Sequence, residues 1–308
     1  MPVFSIVIPT YNRKQRLYQT ILSVLGQTFT DFEVLVMDDG STDGTREMVN
    51  GLSDPRIIYS WEVNSGGPAK PRNRGLSKSS APWICFLDAD DTWLPDKLSC
   101  MWDAIKANPN VDVLCHFEIL RRSDTTVEKV LEHGPFEDDF YKVLLLKGNR
   151  LSTSAVTVRR DFVIMHGIVF NTDPNYFIVE DFDFWLHLAR FKANFKFIPL
   201  VLGVYNIEID NISLANDRRK GNLKTVIRNH VYQHQKFCEK KDRLWSKIEA
   251  RVEFDALSET LFDPPSITKF IWFLIFILRR PISNGLIFLD KIKLIFKKWY
   301  LRHHYFYF

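Results

Sequence analysis

The sequence predicts an α/β protein built on a doubly wound, mostly parallel sheet, with a helical extension at its C-terminal end. Three observations carry this. Short β-rich runs alternate with helix-like segments through the first 117 residues, polar clusters follow three of those runs directly, and the composition changes character after about residue 215. With 308 residues, 46% hydrophobic and 25% charged, and with 13 Gly and 14 Pro, the chain is of ordinary globular composition rather than collagenous or low-complexity.

The first run, residues 3–8 (Val-Phe-Ser-Ile-Val-Ile), predicts a strand and is followed by a helical pattern over 14–26. Strand-like 32–37, helix-like 43–51, strand-like 56–60, helix-like 70–79 and strand-like 83–87 repeat the alternation. A β-α-β-α order implies parallel pairing with crossover helices. A further helix begins near Pro95, and a strand follows at 111–117. Residues 118–150, rich in charge and turn formers, read as a lid or insertion. Strand-like 153–158 and the amphipathic segment 180–191 resume the fold. Residues 216–262 are polar and helix-prone until Asp263-Pro264-Pro265, where a helix must stop. The chain therefore divides into a core domain at 1–215, a helical extension at 216–265 and a tail at 266–308.

The formal charge of +4 is unevenly spread. Residues 266–308 hold eight Lys/Arg against the single acid Asp290, so the tail carries +7 and residues 1–265 carry −3. A nucleic-acid binder places its basic excess on a folded reader element; here it sits in a segment full of Phe, Trp and Tyr, which excludes nucleic acid as the first expectation. Trp272, Trp299 and Tyr300 beside the basic residues suit an interfacial anchor on an anionic membrane surface, where each cation contributes about 1 kcal/mol. The alternative is a helical subdomain packed on the core or on a second subunit. The longest uncharged apolar run, Phe270–Leu278, is nine residues, well below the roughly 20 a bilayer span needs. Cys85, Cys100, Cys115 and Cys238 form no C-x-x-C pair, and no secretory leader is recognisable, so a reducing cytoplasmic compartment is expected.

Ligands of an open parallel sheet bind beyond the carboxyl ends of its strands. Pro9-Thr10-Tyr11-Asn12, Asp38-Asp39-Gly40-Ser41 and Asp88-Ala89-Asp90-Asp91 each follow a predicted strand and should converge on one edge. Carboxylates meeting there repel one another unless a cation lies among them, and hard divalent ions take such oxygen ligands. A diphosphate bound through Mg²⁺ or Mn²⁺ accounts for the set. Each cluster alone also has an ordinary structural account: an Asx turn at Asp38, a helix cap at Asp88–Asp91, dipole-favoured acids at Glu180 and Asp181, and a solvated surface charge at Arg72.

Five segments, Ser5-Ile-Val-Ile-Pro-Thr-Tyr-Asn-Arg13, Asp38-Asp-Gly-Ser-Thr-Asp43, Asn64 through Arg72-Asn73-Arg74-Gly75, Phe86-Leu-Asp-Ala-Asp-Asp91 and Glu180-Asp-Phe-Asp-Phe-Trp185, resemble in order and spacing the family 2 glycosyltransferases of GT-A fold. The resemblance covers residues 3–213. It implies that Pro9, Thr10, Tyr11, Asn12 and Asp39 hold the nucleoside, with Arg72 nearby. It further implies that Asp88 and Asp90 form a D-x-D pair with Asp90 the direct ligand of Mn²⁺ or Mg²⁺, and that Asp181 is the general base. Glu180 and Trp185 are acceptor-side candidates. Two positions depart from the family: His187 stands where many relatives carry Arg, and Tyr205-Asn206-Ile207-Glu208 replaces a Tyr-Arg-x-His element. Either Glu208 substitutes as an oxygen ligand or that region is rearranged.

The expected function is metal-dependent, inverting transfer of a sugar from a nucleotide-diphosphate donor, a UDP-sugar first, to a saccharide hydroxyl. The expected acceptor is polyprenyl-linked, at the inner face of the cell membrane, in surface polysaccharide synthesis. The alternatives are a catalytically silent scaffold of the same fold and a sugar nucleotidyltransferase. The second would need a Gly-rich phosphate turn after the first strand, and Pro9–Asn12 contains no glycine.

Overall fold

The computed structural model describes residues 1–123, 128–207, 216–237 and 240–261. The chain divides into two compact units, Met1–His230 and Val231–Phe308. All strands among the described residues lie in the first.

Strand β1 (Phe4–Thr10) is buried along its whole length because it runs between β2 (Phe32–Asp38) and β4 (Trp83–Phe86), parallel to both. Strand β3 (Ile57–Trp61) continues the parallel set beyond β2. The connecting helices are α1 (Lys14–Leu25), α2 (Thr45–Gly51) and α3 (Ala69–Lys78). Helix α1 turns Leu17, Ile21 and Val24 inward at helical spacing, and they join Ile6, Ile8, Val34 and Val36 in one hydrophobic core. Val7, one residue out of phase, points to the other face of the sheet, where α3 lies so close that a Cβ on Gly75 would collide with it.

Beyond β4 the strand directions change. Strand β8 (Val156–Arg159) is antiparallel to β4, and β6 (Val113–Arg122) is antiparallel to β8. Strand β9 (Phe195–Ile207) runs parallel to β6, while the short β5 (Thr92–Trp93) and β7 (Lys129–Leu131) add antiparallel to β9 and β6. The spatial order is β3-β2-β1-β4-β8-β6-β9-β5. The expectation of a mostly parallel sheet thus holds for β1–β4 and is corrected to a mixed sheet beyond them. The physical reason is that an apolar run reports burial on both faces and not direction: antiparallel β8 is buried much as parallel β1, β2 and β4 are.

Two further elements differ from expectation. Strand β9 has no strand signal because Pro199 interrupts it. The register steps from His116↔Ile198 to Phe117↔Val201, which places Pro199 and Leu200 in a bulge where no ladder donor is needed. The stretch expected to be a lid contains the end of β6, strand β7 and helix α5 (Phe140–Lys147), whose Leu144 and Leu145 are fully buried. The remaining helices of the first unit are α4 (Lys97–Ala107), α6 (Arg160–Met165), α7 (Glu180–Arg190) and α8 (Asn216–Asn229). A π-helical turn follows at His230–His234, and α9 (Lys241–Leu261) belongs to the second unit. Cys85 and Cys115 are buried free thiols and Cys100 is half-buried. No described helix is long and apolar enough to cross a membrane. The tail at 266–308, Glu208 and Cys238 lie outside the described residues.

Candidate active site

The turns that leave β1 and β2 are joined to each other. Asp39 N donates to Thr10 O at 2.8 Å, Asn12 N to Ser41 Oγ at 2.8 Å, and Thr42 N to Asn12 Oδ1 at 2.8 Å. Asn12 adopts a left-handed conformation, φ 49°, which Asn tolerates better than most residues. Pro9 and Thr10 are buried while Tyr11 is 48% exposed, so this turn offers an aromatic surface over a rigid base. Asp38 forms the Asx turn, accepting from Ser41 N at 2.8 Å and from Tyr59 Oη at 2.5 Å. Asp39, beside it, accepts from Ser65 N at 3.0 Å and Ser65 Oγ at 2.8 Å.

The cluster after β4 separates into two roles. Asp91 is buried, accepting from Ser154 Oγ at 2.5 Å and from Asn206 N at 2.9 Å, so it fastens the loop to β9 and to the turn before β8. Asn206 Nδ2 also donates to the Asp90 carbonyl at 2.7 Å. Asp88 and Asp90 remain partly exposed. Arg13 Nη1 reaches Asp90 Oδ2 at 2.9 Å and Arg72 Nη2 reaches Asp88 Oδ1 at 2.7 Å. Helix α4 takes no side-chain cap from this cluster. Burial raises the Asp90 pKa, and the nearby Asp88 charge raises it further against the opposing pull of Arg13. Burial drives Asp91 well above the usual carboxylate range, with Asp90 and Glu118 adding to it.

Helix α7 delivers the third set. Arg72 is 4% exposed and sends its other terminal nitrogen, Nη1, to Glu180 Oε1 at 2.6 Å. Burial works against the guanidinium charge, but Asp88 and Glu180 more than offset it and raise the Arg72 pKa. This excludes the solvated-surface account of Arg72. Asp181 accepts from its neighbour Phe182 N at 2.7 Å and from Thr153 Oγ1 at 3.4 Å. Burial raises its pKa, the Arg72 charge opposes the rise, and Asp88 adds to it. Burial likewise raises Glu180, against Arg72.

The structure thus brings the ends of β1, β2 and β4 to one sheet edge, as expected from the sequence, and joins the start of α7 to them through Arg72. Trp185 requires correction. It is 0% exposed, with its ring against Phe86 and Phe184, so it takes the core position that its neighbours Phe182 and Phe184 also hold. At 100° per residue it faces away from the cleft edge that Glu180 begins, and the apolar pattern of α7 already carried that placement. Glu180 is also buried, accepting from the equally buried Arg72. Arg13, Ser65 and Asn206 lie in segments already singled out in the sequence but carried no contact there: Arg13 closes the first segment, Ser65 lies inside the third and Asn206 in the departing Tyr205–Glu208 element, while Ser154 had no signal of its own.

Asp88 and Asp90 suit a hard divalent cation: two carboxylates two residues apart, both partly exposed, with Asp88 destabilising the ionised form of Asp90. The residues present therefore fit Mg²⁺ or Mn²⁺.

The family model described as glycosyl transferase family 2 matches residues 5–167. An uncharacterized glycosyltransferase of Nostoc sp. is 32% identical over 212 residues, 66% of this chain and 64% of its own length. The chain therefore spans just under two thirds of that relative. The UDP-Glc:alpha-D-GlcNAc-diphosphoundecaprenol beta-1,3-glucosyltransferase WfaP of Escherichia coli is 39% identical over 213 residues, 69% of this chain and 80% of that protein. Among solved structures, S. aureus TarS 1-349 in complex with UDP-GlcNAc superposes with a TM-score of 0.64 at 19% identity, covering 84% of this chain and 80% of that one. That likeness extends to the fold.

Proposed function

The chain belongs to glycosyl transferase family 2, and from that premise we propose that it is an inverting hexosyltransferase that moves a sugar from a UDP-sugar to a hydroxyl of a lipid-linked saccharide. The observation that carries the proposal is the Arg72 bridge, which holds Asp88 and the Glu180–Asp181 turn at one crevice with the nucleoside turn of β1 and Asp39. In that arrangement Asp181 takes the proton of the acceptor hydroxyl as its oxygen bonds to the anomeric carbon and the bond to the diphosphate breaks. One displacement inverts the centre, and no second carboxylate is required as nucleophile. Asp88 and Asp90 would hold the divalent ion, which when bound supplies charge neutralisation for the departing diphosphate. Tyr11 and Asp39 are assigned to the base and ribose.

The donor assignment is supported by the name of the WfaP relative and by the UDP-GlcNAc complex of the TarS structure. The acceptor class is supported by the diphosphoundecaprenol in the WfaP name. Binding to an anionic membrane at the inner face of the cell membrane is proposed on the charge and aromatic content of residues 266–308 alone.

The test is calorimetric titration of the purified chain with UDP, GDP, dTDP and CMP, each with Mn²⁺ and again with EDTA. Binding of UDP alone, and only with metal, is the expected result. Binding of another nucleotide overturns the donor assignment, binding in EDTA overturns the metal requirement, and no binding by the folded protein transfers the function to scaffolding.

A further inference from the structure

A second group of ligating side chains lies on another face of α7. Asp181 and Asp183 are about 200° apart around the helix, so Asp183 points away from the general-base position. It shares its face with His187, one turn on, and both meet His230, the first residue of the π-helical turn that follows α8. His230 Nε2 lies 2.9 Å from Asp183 Oδ1, His187 Nε2 lies 3.8 Å from Asp183 Oδ2, and one ligating atom from each residue falls within 4.8 Å of the others. Asp183 and His230 are buried and His187 is half-buried.

We propose that Asp183, His187 and His230 form a site for a borderline transition metal of the zinc type, separate from the Asp88–Asp90 pair. The donor chemistry selects the ion: two imidazoles and one carboxylate suit Zn²⁺, Co²⁺ or Ni²⁺, whereas Mg²⁺ and Ca²⁺ take oxygen. A tetrahedral ion with bonds of about 2.0–2.2 Å holds its ligands about 3.3–3.5 Å apart; the two histidine contacts to Asp183, one on each carboxylate oxygen, lie on either side of that value and all three ligating atoms lie within 4.8 Å, so side-chain adjustment seats the ion. A ligating histidine is normally oriented through its other ring nitrogen, and His230 Nδ1 is 2.9 Å from Tyr141 Oη. The remaining coordination position has a route to water, because Asp183 and His187 line a cleft of about 400 Å³ together with Asn73, His166 and Arg190. Arg190 in the same wall opposes a cation, which gives the proposal a signed control. The ion would tie the middle of α7 to the start of the π-helical turn after α8 and so fix the helix that presents Asp181. The proposal stands on this geometry whether or not the transfer reaction is as assigned above.

The experiment is a zinc titration of the EDTA-stripped, full-length chain by calorimetry, with excess Mg²⁺ present to occupy the Asp88–Asp90 pair, and a parallel Co²⁺ titration read by visible absorption. The expected result is one zinc equivalent with the spectrum of four-coordinate cobalt. His187→Gln, at the half-buried position, should lose that equivalent while keeping its circular dichroism; Tyr141→Phe should weaken it about tenfold; Arg190→Gln should tighten it; and Asp90→Asn should leave it in place. A chain that binds no zinc, or that binds it equally with His187→Gln, overturns the site and leaves a hydrogen-bonded Tyr-His-Asp cluster in its place. Loss of the equivalent in Asp90→Asn would instead assign the zinc to the first pair and likewise overturn the proposal.

Discussion

Arg72 and Glu180, 108 positions apart in the chain, are joined by a 2.6 Å ion pair in which both partners are buried. The same guanidinium holds Asp88, so one side chain of α3 fixes the loop after β4 against the first turn of α7. Removing it strands two carboxylates at once. Arg72→Met is expected to cost about 3–5 kcal/mol, because breaking a buried pair leaves an uncompensated charge. Arg72→Lys should recover only part, since an ammonium lacks the planar fork that spans both acids. Urea unfolding of the three proteins checks this; equal midpoints would show that the bridge carries no stability.

Asp181→Asn is expected to abolish sugar transfer while leaving UDP affinity within a factor of two, because the side chain's proposed task is to accept a proton rather than to hold the donor. Transfer of labelled sugar and calorimetry separate the two. In the wild type, burial raises the Asp181 pKa. Activity should therefore fall on acidification at a pH above that of an ordinary aspartate, as the base becomes protonated. A pH–rate profile with its acid limb at or below the ordinary value would remove Asp181 from that role.

His116 is buried beside β9, its Nδ1 2.8 Å from Phe117 O, and burial with the nearby Lys97 charge depresses its pKa from 6.5 to about 3. The folded state resists a proton that the unfolded chain accepts. The neutral ring's contribution is present above pH 6.5 and is lost as pH falls towards 3, at up to about 1.4 kcal/mol per pH unit. Buried Asp91 acts with the opposite sign, being raised, so its protonated form favours folding until pH rises through its folded pKa. The comparison that isolates His116 is wild type against His116→Gln: the stability difference should shrink between pH 7 and pH 4, and a constant difference would refute the assignment.

Gly75 lies on Val7, and a methyl group there meets both Val7 γ-carbons. Gly75→Ala should destabilise by about 1–3 kcal/mol through overpacking and weaken donor binding by displacing α3, which carries Arg72. Val7→Ala should relieve part of the effect when combined with it. A double-mutant cycle with no coupling would place the two sites apart.

Deletion of residues 266–308 should move the protein from vesicles containing anionic lipid to the soluble fraction and leave UDP binding unchanged. Flotation on vesicles with and without phosphatidylserine measures it. Unchanged partitioning would assign the tail to packing.

The sequence by itself determined the parallel half of the sheet and the acidic turns at its edge. Val3–Ile8, 32–37 and 83–87 are apolar on both sides because those strands are covered on both faces, and polar residues directly after them must lie at the carboxyl edge. It also placed Glu180 and Asp181 at a helix start, where the dipole favours acids. Only the tertiary structure decided the direction of β8, the existence of β9 around the bulge at Pro199, and the division of labour within Asp88–Asp91. It also put Arg72, for which a solvated surface charge was the ordinary account, into a buried ion pair. The reason is common to all of these. Burial and periodicity are written locally along the chain, whereas strand direction, ion-pair partnership and which of two adjacent carboxylates faces the cleft depend on residues tens of positions away, and those meet only when the sheet closes.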